Sequence, residues 1–134
     1  MTIDTSAVVA ILIDEQSRSE LETSVAESHC AISSVSYLEA SIVLLHRRGE
    51  ESLASLDLWI EAAGIEIVPF TATQARLARN AYARFGKGRH PAGLNFGDCA
   101  TYALTMDRGD DLLICGEDFT LTDVRSTLSR PVVD

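Results

Sequence analysis

Long apolar runs are missing from this chain. The longest, Ala7 to Ile13, has seven residues, against the roughly 20 a helix needs to span a bilayer, so no membrane helix is expected. The opening Met1-Thr2-Ile3-Asp4 has no basic n-region and meets an acid at position 4, which argues against a secretory leader and makes the cytoplasm the expected location. Cysteine is scarce. Cys30, Cys99 and Cys115 are widely spaced among apolar neighbours, the usage of small buried hydrophobes rather than of a disulfide framework. The three histidines (His29, His46, His90) form no Cys/His pair at zinc spacing. Any metal here must be held by oxygen.

Positive charge is also in short supply. Lys and Arg number 11 against 20 Asp and Glu, a net charge of −9, which taken alone argues against general attraction to phosphates. The bases are clustered, however. Arg76, Arg79, Arg84, Lys87, Arg89 and His90 crowd one short stretch, so a local basic patch coexists with the negative total.

What remains is an ordinary globular composition, 46% hydrophobic and 23% charged over 134 residues, enough for one domain around one core. No repeat, low-complexity tract or linker interrupts it. Short strand patterns occur at Met1–Ile3, Cys30–Ser33, Ile65–Val68, Leu112–Cys115 and Pro131–Val133. Helical patterns lie between them. Thr71 to Phe85 repeats Ala75, Ala78, Ala81, Tyr82 and Phe85 at three- and four-residue spacing, opens on a Thr71/Gln74 capping box and stops at Gly86. Ser36–Arg48, ending at Gly49, and Glu50–Ala63, ending at Gly64, read the same way, and Asp98 opens a further helix. The Ala7–Ile13 run suits either a buried strand or a buried helix. Strands separated by long helices imply parallel pairing through crossover helices, hence an α/β sandwich with its crevice beyond the carboxyl ends of the strands.

Acids fall at those ends. Asp4 follows the first strand, Glu39 lies in the first turns of the helix after the second, Asp118 comes just after the fourth, and Asp98 opens its helix. Each has a local explanation as well: Ser36-Tyr37-Leu38-Glu39 and Asn95-Phe96-Gly97-Asp98 both resemble capping boxes, and Asp4 and Asp118 suit turns or caps. Gathered at one edge, the four carboxylates would repel and would need hard divalent cations. One or two such ions would activate water and neutralise phosphate charge, with no serine or histidine nucleophile required.

In this order the residues resemble the motifs of the PIN-domain family, and more narrowly its VapC-type toxins. Ile3-Asp4-Thr5-Ser6-Ala7 resembles the first motif, Ser36-Tyr37-Leu38-Glu39-Ala40 the second, Leu94-Asn95-Phe96-Gly97-Asp98-Cys99 the third, and Gly116-Glu117-Asp118-Phe119 with Thr122-Asp123 the fourth. The resemblance covers almost the whole chain. It implies a three-layer α/β/α sandwich around a short-stranded, mainly parallel sheet, with Ala7–Ile13 mostly helical. It implies a metal-dependent endoribonuclease in which Asp4, Glu39, Asp98 and Asp118 hold Mg2+ or Mn2+, supported by Thr5, Ser6, Ser36, Asn95, Thr122 and Asp123. It also implies a homodimer, a VapB-type antitoxin and cleavage leaving a 5′-phosphate. Glu117 departs from the neutral polar residue usual before the fourth aspartate, which leaves Asp118 and Asp123 both open as the nearer metal partner. Lys87, Arg89 and His90, in the glycine-rich Phe85–Gly93 loop, are the expected phosphate contacts; the same loop also reads as a solvated connector.

Two rival readings stand beside this one. A magnesium-dependent phosphatase of the haloacid dehalogenase type wants a second aspartate two positions after the first, where Ser6 stands. A catalytically inert PIN-like binding module would use the same acids merely as caps.

Overall fold

The computed structural model describes residues 1–13, 16 and 18–127. The elements alternate in chain order: β1 (Thr2–Ile3), α1 (Thr5–Leu12), α2 (Arg18–Ala26), β2 (Ala31–Ser33), α3 (Ser34–Arg48), α4 (Glu51–Ala63), β3 (Glu66–Val68), α5 (Ala72–Phe85), α6 (Phe96–Arg108), β4 (Leu112–Leu113) and β5 (Ser126–Thr127). The strand expected at Pro131–Val133 lies outside the described residues. The apolar Ala7–Ile13 run is helical through Leu12, in α1, with Ile13 as its C-cap and Ala7, Val8 and Ile11 fully enclosed.

The strands form one sheet in the order β3-β2-β1-β4-β5, every pairing parallel. Side chains alternate across it, and this divides the core in two. Ile3, Ile32 and Leu113 face a cluster built by α1 to α4, including Val8, Ile11, Leu44, Leu56 and Ile60. Leu112 faces the other way and packs with Ala81 and Phe85 of α5 and Cys99 and Tyr102 of α6. Three layers result, helices on both faces of a parallel sheet.

Winding runs outward from β1 through β2 to β3 with helices on one face, then returns across the other face to place β4 on the far side of β1. Right-handed crossovers in opposite directions require that change of face. The reversal lies between β1 and β4, which is where a parallel sheet opens a crevice at its carboxyl edge.

Local signals set the helix ends. Thr71 caps α5 by accepting from the Gln74 amide at 3.1 Å, and Gly64 and Gly109 close α4 and α6 in the left-handed conformation. The Ser36/Glu39 capping box is not formed. α3 begins two residues earlier with Ser33 as its cap, accepting from Val35 N at 3.2 Å, and Ser36 lies inside the helix, fully buried. Its hydroxyl is used across the core instead. β4 is also shorter than expected, because beyond Leu113 the backbone turns to side-chain partners: the Cys115 amide donates to Ser6 Oγ at 3.0 Å. Among the described residues, Cys30, Cys99 and Cys115 form no disulfide.

Candidate active site

At the β1/β4 edge the chain leaves β1 directly into α1, and Asp4 is the turning residue. Its backbone is extended, so its side chain folds over the start of the helix and Oδ2 accepts from Ser6 N at 3.0 Å. The other oxygen, Oδ1, accepts from Thr101 Oγ1 at 2.8 Å. Thr101 spends its one proton there, so the 3.0 Å contact between the Ser36 and Thr101 hydroxyls is made with Ser36 as donor. Thr5 completes the chain by donating to Ser36 O at 3.3 Å. A carboxylate only 4% exposed is thus held by two donors in one orientation, as a buried charge requires.

Asp98 is fixed by reciprocal bonds. Asn95 Oδ1 accepts from Asp98 N at 2.9 Å and Asp98 Oδ2 accepts from Asn95 N at 3.0 Å, a complete capping box. This explains Asn95 structurally and leaves Asp98 aimed into the same cleft as Asp4. Glu39, on α3, reaches over the first turn of α6, where Gly97 leaves room for it. A Cβ at position 97 would fall inside van der Waals contact of the Glu39 carboxylate. Asp118, exposed, comes from the segment after β4.

The four acids line one open cleft with Thr5, Ser6, Val9, Ala10, Val43, Asn95 and Cys115. They sense each other. Burial pushes the Asp98 carboxyl up to about 6, opposed by the Asn95 amide and reinforced by the charges of Asp4, Asp118 and Glu39. Among the described residues, no three acid, histidine or cysteine side chains form a ready-made cage for one ion. The acids surround the cleft rather than clasp a single point.

Asp123 is placed elsewhere. Its Oδ1 accepts from Tyr102 OH at 2.8 Å and its Oδ2 faces Arg84 Nη1 at 3.5 Å, while Arg84 lies 4.6 Å over the Phe85 ring. Burial, then the Asp123 carboxylate, pushes the Tyr102 phenol up to about 12. Thr122 turns onto its own segment, donating to Phe119 O at 2.7 Å. Of the two aspartates after β4, Asp118 is the one that lines the cleft.

The Phe85–Gly93 segment folds back on itself. Lys87 N donates to Leu94 O and Leu94 N to Phe85 O, both at 2.9 Å, which brings the end of α5 beside the start of the α6 motif. Arg89 Nε donates to Ala83 O at 3.2 Å, and His90 Nδ1 accepts from Ala92 N at 3.0 Å with its ring edge-on to Phe85. Lys87 and Arg89 are exposed, and none of the three lines the cleft itself.

Sequence reasoning passed over Thr101 and Gly97. Thr101 stands three residues after Asp98 and therefore on the same helix face, a spacing that identifies it. Gly97 carried a signal too, as a glycine in the first turn of a helix where close approach is a common reason for one.

The PIN-domain family matches residues 1–124 of the sequence. The chain belongs to the PIN-domain family. Among its relatives, a ribonuclease VapC of Mycolicibacterium smegmatis is 52% identical over 125 residues, covering 92% of this chain and 97% of that one. Ribonuclease VapC30 of Mycobacterium tuberculosis is 46% identical over 132 residues, covering 98% of this PIN domain and all of its relative. Among solved structures, the sarcin-ricin loop cleaving toxin VapC20 of Mycobacterium tuberculosis superposes with a TM-score of 0.76 at 15% identity, covering 92% and 95% of the two chains. VapBC2 from Rickettsia felis, bound to a DNA fragment from its promoter, superposes with a TM-score of 0.73, also at 15% identity, covering 94% and 96%. At that identity these two establish that the PIN domain shares their fold.

Proposed function

We propose that this PIN domain is the RNA-cleaving toxin of a toxin–antitoxin pair, hydrolysing phosphodiester bonds with Mg2+ or Mn2+ held by Asp4, Glu39, Asp98 and Asp118. The observation that carries the reading is the convergence of these four acids on one cleft at the switch point of the sheet. The ribonuclease names of relatives at 52% and 46% identity support it.

The donor set fits the ion. Every charged group lining the cleft is a carboxylate, the choice of hard divalent cations, and octahedral Mg2+ and Mn2+ both accept such ligands. Burial is the main reason the Asp98 carboxyl is raised, and the repulsion that Asp4, Asp118 and Glu39 add to it is relieved by a cation. When bound, divalent ions lower the pKa of water, neutralise phosphate charge and stabilise a leaving oxygen.

The side chains divide the remaining work. Thr101 and the Ser6 amide hold Asp4 rigid, and the Asn95 capping box holds Asp98. Glu39 and Asp118 come from α3 and from the segment after β4, and both line the same cleft. Thr5 and Ser36 support the site through the bonds that lead to Thr101 and Asp4, Ser6 supports it through its amide on Asp4 and its hydroxyl on the Cys115 amide, and Thr122 and Asp123 support it by shaping the segment that carries Asp118. Lys87, Arg89 and His90 stand on the loop leading into Asn95 and make phosphate contacts with the RNA. A VapB-type antitoxin neutralises the toxin, the working unit is a homodimer, and the reaction takes place in the cytoplasm, leaving a 5′-phosphate. Among the described residues no helix is long and apolar enough to cross a membrane.

The phosphatase reading is weaker, since Ser6 occupies the position where that chemistry needs an acid and its hydroxyl is taken up by the Cys115 amide. Purified protein with magnesium should cut RNA, and Asp98→Asn should abolish cutting while the fold survives. Cleavage by that variant would overturn the assignment, and a thermal midpoint unmoved by millimolar Mg2+ or Mn2+ would favour the inert module.

A further inference from the structure

Between Glu66 and Asp98 the chain has no acidic residue, although acids outnumber bases overall, and five of its 11 Lys and Arg residues fall in that interval. Structure sharpens the asymmetry. Arg18, Arg84, Arg108 and Arg125 each rest on a carboxylate. Among the described residues, Arg76, Arg79, Lys87 and Arg89 of this stretch are exposed and make no ion pair; the other exposed bases without one, Arg47 and Arg48, end α3.

Arg76 and Arg79, three residues apart on α5, are surface neighbours. They lie opposite the Gln74, Ala81 and Phe85 stripe that buries the helix. From Arg76 the helix runs roughly 14 Å to Phe85 at 1.5 Å per residue. There the chain folds back, pairing Gly86 with Leu94, one residue before Asn95 at the cleft. Unneutralised cations gathered on one strip of a chain carrying net charge −9 make a local positive field that attracts polyanions.

At the other end stands Phe96, the first residue of α6, between Asn95 and Gly97. It is 80% exposed, more so than any other exposed large hydrophobic side chain among the described residues. An exposed aromatic ring beside a phosphate-cleaving cleft suits an unpaired base, which presents a flat face that duplex RNA keeps stacked.

We infer that the outer face of α5, through Arg76 and Arg79, and the exposed ring of Phe96 form a track for single-stranded RNA, the arginines holding backbone phosphates and Phe96 stacking a base at the cleft mouth. The inference rests on the nuclease reading and extends it to substrate form. It predicts that the enzyme favours long single strands over short ones.

The test measures steady-state cleavage by the full chain with Mg2+. The substrates are a long single-stranded RNA, a short one holding only the nucleotides around a cut site, and the long RNA annealed into a duplex. Arg76→Gln with Arg79→Gln should raise KM for the long RNA and reduce the slope of log KM against log salt by about 1.4, two phosphate contacts at about 0.7 each. The long RNA's advantage over the short one should disappear. Phe96→Leu should raise KM about tenfold, the loss of one base stack, and Phe96→Trp should restore it. Arg18→Gln, on α2, should change neither KM nor slope.

Unchanged KM and salt slope in the arginine variant would overturn the track while wild-type cleavage keeps the nuclease reading intact. Equal cleavage of duplex and single strand would do the same. If the variant cut RNA normally but escaped its antitoxin, or changed its oligomeric state, the strip would belong to a protein contact and the inference would fall. Failure of the wild-type protein to cut any of the three RNAs would refute both readings.

Discussion

Replacing Asp98 with asparagine should stabilise the metal-free protein at neutral pH, although it should destroy activity. The native carboxyl titrates at about 6 instead of the ordinary 3.8. Because the folded state holds this proton more tightly than the unfolded one, ionisation costs stability, and the cost grows as pH rises from about 4 and is complete above about 6. Two units correspond to about 3 kcal/mol. Asp98 is partly exposed, so solvent screening cuts this to about 1–2 kcal/mol. Asparagine removes the charge, and its amide oxygen can still accept from Asn95 N, so the helix cap survives. With an unfolding entropy of about 2.1 cal/mol/K per residue, the Asp98→Asn midpoint should lie about 4–7 °C above wild type at pH 7.5. The gap should close towards pH 4. Differential scanning calorimetry in chelator at both pH values measures it. Millimolar Mg2+ should then raise the wild-type midpoint and leave the variant nearly unmoved. A variant less stable than wild type at pH 7.5, or a gap independent of pH, would refute the electrostatic reasoning.

Three further substitutions probe the surroundings of the acids. Gly97→Ala should keep the fold, because the group it meets is the flexible end of Glu39, yet lower kcat at least tenfold by displacing that carboxylate; circular dichroism and RNA cleavage separate the two effects. Thr101→Val removes the donor to Asp4 Oδ1 and the acceptor for Ser36, so urea unfolding should show a loss of about 1–3 kcal/mol together with weaker Mg2+ binding. Tyr102→Phe cuts the bond to Asp123 and should cost about 1–2 kcal/mol. It should also weaken Mn2+ affinity, read by calorimetric titration, through the segment that carries Asp118.

Much of this architecture was legible because parallel sheets impose their own grammar. Short apolar strands between capped helices imply crossovers, and crossovers imply a carboxyl edge where Asp4 and Asp118 must meet. The apolar run at Ala7–Ile13 was not decidable from periodicity, since a helix buried on nearly every side has no polar face to betray its period; only the family resemblance pointed to α1. β5 escaped notice because Ser126–Thr127 is two polar residues long, and a strand held by pairing to Leu112 and Leu113 needs no apolar pattern of its own. α2 buries only Leu21 and Val25, too narrow a stripe to stand out.

The site shows the same division. Ser36 with Glu39 matched a capping box by spacing, but tertiary structure claimed the hydroxyl for Thr101, since a buried serine beside a buried threonine and carboxylate gains more there than at a solvated helix end. Asp118 and Asp123 could not be told apart in sequence. Tyr102 and Arg84, which engage Asp123, lie on two other helices, and no local pattern encodes that meeting.

The central claim is that residues 4, 39, 98 and 118 jointly hold divalent cations. Anomalous diffraction from crystals soaked in Mn2+ tests it most directly: a manganese peak should lie in the cleft within coordination distance of Asp4 and Asp98, with Glu39 or Asp118 completing its shell. A fully soaked crystal with manganese bound elsewhere and none among these carboxylates would contradict the account.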